Sequence, residues 1–178
     1  MSGNGRGRPV GLALLALGPV LVAAYAGVNR VAIQLAAKAQ TRGPEWGKGR
    51  VDPGGLTSLG VDTWRVVWWT AALVGAVAVA FLVIGVLLRR GSRGRTLLLV
   101  LSGVLIVPYA AGIFVAFLNP VKLLAEFYDS PDFSGGIPGW QAATVLILIA
   151  AGLSQAAGLP LLAARDKRAA PALEEATP

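Results

Sequence analysis

The sequence predicts an all-α, polytopic integral membrane protein with four transmembrane helices and both termini in the cytoplasm. Three observations carry this. First, 55% of the 178 residues are hydrophobic and only 14% are charged, little more than half the charged share of an ordinary soluble domain. A soluble chain of this size has too small an interior to hide that much apolar surface, so lipid covers part of it. Second, the apolar residues gather into four long uncharged runs. Third, the basic residues fall between and beyond the runs in a pattern that sorts the two faces of a membrane.

The runs come in order. Crossing roughly 30 Å of hydrocarbon as a helix takes about 20 residues. The first run covers 9–29, the second 66–88, the third 96–119 and the fourth 139–164. None alternates apolar with polar residues as a strand would. In lipid every backbone N–H and C=O needs a partner within its own segment, so each run should be a helix. Pro19, Pro108 and Pro160 lie inside the runs and should bend their helices. A second reading exists for the first run. The basic start "MSGNGRGR", the apolar stretch and "AAYAG" also fit a signal peptide cleaved after Ala26, which would leave three helices with the same topology.

Orientation follows from lysine and arginine, which stay on the cytoplasmic side of short loops. The segment 89–95, "RRGSRGR", holds four arginines in seven residues. With the tails 1–8 and 165–178 it places nine basic residues on one side, against seven on the other. Density decides what the count leaves close. The loop 120–138 has one lysine, Lys122, against Glu126, Asp129 and Asp132. The arginine loop is therefore cytoplasmic, with Arg89, Arg90, Arg93 and Arg95 near anionic lipid heads. A nucleic-acid partner is not expected, because seven residues pinned between two spans offer too little surface. Trp64, Trp68, Trp69, Trp140 and Tyr25 cluster at the opposite ends of the runs, where interfacial aromatics belong.

Outside the runs the chain is polar. In the loop 30–65, Arg30, Gln34, Lys38 and Arg42 recur every four residues, one stripe of a helix. This stretch continues the first helix or lies on the membrane surface, ending at Gly43 and Pro44. The rest is rich in turn residues and is expected as a solvated connector, with a small packed cap as the alternative. The loop 120–138 is expected to be a solvated acidic loop in which Pro131 interrupts any helix. Its acidic spacing matches no calcium loop, and "SGGIPG" lacks the lysine of a phosphate loop. The tail from Arg165 is short, rich in Ala and Pro, and expected to be disordered.

The functional reading is mostly one of exclusion. The chain has no cysteine and no histidine, which removes disulfides, thiol redox chemistry, Cys/His zinc sites and His-ligated haem. The four runs contain no Asp, Glu, Lys or Arg, the groups that proton-coupled pumps and many transporters hold inside the bundle. Thr70, Ser102, Tyr109, Thr144, Ser154 and Gln155 are left as weakly polar groups for helix–helix contacts, with Ser154 and Gln155 the best candidates for a polar spot. Small residues four apart line helix faces at Ala72, Ala76 and Ala80, at Gly112 and Ala116, at Gly152 and Ala156, and at Ser154 and Gly158. They fit close packing within the chain.

No residue is assigned a catalytic, cofactor-binding or metal-ligating role. An enzyme would have to work from surface residues such as Tyr128 and Asp129. The expectation is a non-enzymatic accessory or structural component acting through protein or lipid contacts, with a membrane-protein partner or a homo-oligomer as its context. The alternative is a subunit of an oligomeric transporter or channel for a neutral or apolar solute. Arginine outnumbers lysine twelve to four, a bias that fits a GC-rich bacterial genome, and the expected location is a bacterial plasma membrane.

Overall fold

The computed structural model describes residues 7–44, 46–47, 49–89 and 94–163. Among these residues it is all-helical. It contains four helices long and apolar enough to cross a membrane: Pro9–Gln40, Ser58–Leu88, Thr96–Phe117 and Gly139–Leu162.

Helix α1 runs from Gly7 to Gln40 and α2 from Ser58 to Arg89. At about 1.5 Å per residue each is about 50 Å long, some 20 Å more than the hydrocarbon needs. Both overshoot at the same end, where residues 41–57 join them. The first polar loop is thus half as long as the uncharged runs implied. Charges at Arg30, Lys38, Asp62 and Arg65 do not stop the helices, because each keeps an apolar face above the slab. Ile33, Ala36 and Ala37 of α1 and Leu59 of α2 are buried there. Thr57 starts α2 by accepting a hydrogen bond from the Gly60 N–H at 3.2 Å, the usual N-cap role of threonine. The stripe on α1 reaches this connector. Arg30 and Gln34 both donate to the Gly54 carbonyl, at 3.5 and 3.4 Å, and Gly55 completes the turn at φ 76, a value that favours glycine.

Helix α3 spans Arg95–Phe117. Two short helices follow, α4 (Pro120–Phe127) and α5 (Pro131–Gly135). The acidic loop is therefore not solvated chain. Pro131 opens a helix instead of interrupting one, since the first turn does not need the N–H that proline lacks. Val121, Ala125 and Phe133 are buried in one cluster with Ile33, Ala36, Leu56 and Leu59. Residues 30–65 and 118–138 thus build a packed cap, where a solvated connector and a solvated acidic loop were expected. A 3-10 turn, Gly139–Thr144, leads into α6, Val145–Ala163.

In the bundle, α1 packs on both α2 and α6, which also touch each other, and α3 packs mainly on α2 with a smaller contact to α6. The α1–α6 contact is close: a Cβ on Gly158 would stand 3.0 Å from the Gly11 carbonyl oxygen. Leu15, Val22 and Tyr25 are buried, so the segment before Ala26 is part of the core. Helix α3 is the most exposed span, with 17% of its apolar window buried against 39% for α2. Trp68, Trp69 and Trp140 are exposed at the capped end, and the Arg30 guanidinium sits 5.0 Å over the Trp64 ring. The arginine loop with Arg90 and Arg93, the side chains of Arg89 and Arg95, and the tail 165–178 lie outside the described residues.

Candidate functional site

Because α3 leans on α2 and barely meets α6, a groove opens between α3 and α6. Its volume is about 580 Å3. Leu99, Gly103 and Ile106 of α3 face Ile149 and Leu153 of α6 across it, with Phe81 of α2 at the back. Its rims are lipid-facing: Ile106 and Leu153 are 60% and 65% exposed. One polar contact bridges the two helices, the Tyr109 hydroxyl donating to the Leu148 carbonyl at 3.3 Å. The Tyr109 ring meets Phe81 edge-on at 6.5 Å, a favourable aromatic geometry. Small-molecule pockets run roughly 300–1,000 Å3, whereas a helix crossing the membrane occupies roughly 2,400–3,400 Å3 by its diameter and length. The groove has the size of one lipid chain or one small apolar molecule.

The weakly polar residues divide by what they bond. The Thr70, Ser102 and Ser154 hydroxyls donate to carbonyls of their own helices, at Val66, Leu98 and Ala151. They do not join helices. Gln155 does: its Nε2 donates to the Ala78 carbonyl of α2 at 3.0 Å. The carboxamide packs directly over Gly18 of α1, where a Cβ would come within 2.3 Å of Nε2. Its Oε1 is buried without a partner among the described residues. The expected polar spot at Ser154 and Gln155 is thus a three-helix clasp at Gln155 alone.

A second polar cluster was not legible in advance. Asn29, Gln141 and Thr144 are buried together at the base of the cap. Asn29 donates to the Tyr25 carbonyl at 3.0 Å. Its Oδ1 accepts from Gln141 Nε2 at 2.9 Å and from the Thr144 hydroxyl at 3.5 Å. Thr144 also donates to the Gln141 carbonyl at 2.8 Å. The network fastens the start of α6 to the middle of α1. In sequence Asn29 and Gln141 each merely end an apolar run, and no local signal pairs residues 112 apart.

The three acidic residues of the former loop do not converge. Glu126 pairs with Lys122 at 3.8 Å on the surface of α4. Asp132 lies against Gly43. Asp129 lines a separate polar hollow of about 210 Å3 at the top of the cap. Among the described residues no three His, Cys, Asp or Glu come together as a metal site would require.

No protein-family model matches the chain, and neither curated proteins nor solved structures give a match. The geometry therefore stands by itself. It offers an apolar groove on the bundle surface and a cap fastened to α1.

Proposed function

We propose that this chain is a non-catalytic, multi-pass membrane component that works by binding, and that its α3–α6 groove takes a single apolar chain or small apolar molecule from the bilayer. The groove itself carries the reading. It is large enough for one such guest, its walls are apolar, and its mouth opens toward lipid. A guest entering sideways leaves no water-filled path and needs no ionisable group within the spans. We place the protein in a bacterial plasma membrane with its termini and arginine loop in the cytoplasm, following the basic-residue asymmetry. The cap then faces outward.

Gly103 gives the direct test. It lines the groove, and nothing lies within 4 Å of the place where its Cβ would be. In Gly103→Phe the new Cβ meets no atom within 4 Å and the ring should occupy the groove, and loss of a mid-helix glycine should raise helix stability by about 0.5 kcal/mol. Native mass spectrometry of the protein from mild detergent should show an apolar adduct on the wild type that is lost on the variant. Equal adducts on both would refute the groove as the binding site. Orientation has its own test in a chain without cysteines. In whole cells an impermeant thiol reagent should label Ser134→Cys and spare Ser92→Cys, and the reverse pattern would invert the topology.

A further inference from the structure

We propose that the hollow at the top of the cap is a second binding site, built for the ammonium group of a small organic cation. Gln40 at the end of α1, Trp46 in the connector, Ser58 at the start of α2, and Tyr128, Asp129 and Ser130 in the turn between α4 and α5 line it. Four stretches of chain meet there.

The chemistry of the lining is one-sided. Asp129 is the only charged residue among the described residues of the lining, and no described residue pairs with that carboxylate. Lys122, on the preceding helix α4, is engaged with Glu126. The Gln40 Nε2 donates one of its two N–H groups to the Ser130 hydroxyl at 3.1 Å. The acceptor end, Oε1, is buried without a partner among the described residues. Trp46 and Tyr128 add two aromatic rings. Carboxylate, free carbonyl oxygen and π-faces are the groups that attract an ammonium ion, and the same carboxylate repels anions.

The turn itself does not call for an acid. Asp129 sits at φ 46. Its N–H bonds to Glu126 O, and the Ser130 N–H bonds to Ala125 O, each at 3.1 Å. This is the helix-ending motif in which glycine or asparagine is usual. Asparagine therefore preserves the turn while removing the charge.

Position narrows the source of the cation to two. Ser58 lies ten residues up α2 from the exposed Trp68, about 15 Å along the axis. The hollow opens above the aromatic belt, within reach of a water-borne amine and at the limit of a lipid headgroup. The test uses the whole protein in nanodiscs of phosphatidylglycerol, titrated with choline and followed by saturation-transfer NMR. Wild type should bind saturably, and Asp129→Asn and Trp46→Ala should each weaken binding about fivefold or more. Thermal melts should show Asp129→Asn folded like the wild type. Competition by phosphatidylethanolamine added to the disc would assign the site to a lipid amine, and no competition would assign it to a soluble one. Non-saturable choline signals, or equal affinity in wild type and Asp129→Asn, would overturn the proposal.

Discussion

Gly136→Ala is expected to unseat the cap while leaving the membrane-spanning bundle standing. Gly136 ends α5 where it meets α1. Its φ of −83 is open to any residue, so the requirement is for space, not for backbone freedom. An alanine Cβ would lie 2.4 Å from the Ala39 Cβ, 2.9 Å from the Ala36 Cα and 3.2 Å from the Ala36 carbonyl oxygen. Two of these are backbone atoms of a long helix and cannot rotate away. Overpacking of this kind costs roughly 1–3 kcal/mol, and here the upper part of that range applies because α1 is held on its other faces by α2 and α6. The least costly response is for α5 to lift off, exposing Phe133, which is fully buried.

Hydrogen exchange should report the result. Amides of α5 and of the adjoining 3-10 turn should lose protection, while those around Gly11, Ala78 and Gly158 keep theirs. Ala39→Gly in the same chain removes the shortest contact but not the two to Ala36, so rescue should be partial. Wild-type protection in Gly136→Ala would show that the α1–α5 contact does not hold the cap.

The reach of the sequence in this case follows from what lipid demands. A span must be long, apolar and uncharged, and those are properties of one stretch read alone. All four spans were therefore legible, down to the prolines inside them. The cap was not, because its rules are those of a water-facing protein. Arg30, Lys38, Asp62 and Arg65 end an uncharged run without ending a helix. The i to i+4 stripe from Arg30 to Arg42 did carry the signal for α1, but α2 above Val66 shows no comparable pattern. Phe133 and Val121 looked like stray apolar residues in an acidic loop until Ala36 and Leu59 came beside them.

The polar residues teach a similar lesson. Hydroxyl side chains in a helix have a carbonyl of their own helix always within reach, so Thr70, Ser102 and Ser154 bond there, and sequence cannot tell that choice from a bond across helices. A carboxamide is longer and has two ends to satisfy. Gln155 and Asn29 therefore reach out of their helices, and Gln155, being inside a run, was the easier to single out.

Asn29→Leu should be the most costly single change within the bundle's own polar groups. The substitution takes away the acceptor of the Gln141 Nε2 donor. The other end of that amide, Oε1, already has no partner among the described residues. The whole carboxamide would then stand unpaired at 3% exposure. Interhelical hydrogen bonds deep in membranes average only about 0.6 kcal/mol, because the unfolded chain in lipid finds other partners. A buried polar group left unpaired costs about 1–3 kcal/mol when its alternative is water. The second value governs here, since Asn29 and Gln141 stand at the aromatic belt, where an opened structure is wet. A loss of about 2 kcal/mol is expected in reversible unfolding from mixed micelles. Gln141→Leu should cost less, because Asn29 still donates to the Tyr25 carbonyl and only its Oδ1 loses its short partner. The decisive comparison is the double variant. With both amides replaced by leucine no buried polar group is stranded, so its loss should fall short of the sum of the two single losses by about 1 kcal/mol or more. Losses that add to within about 0.5 kcal/mol would mean that the two residues act independently, and that packing alone, not this hydrogen bond, fastens α6 to α1.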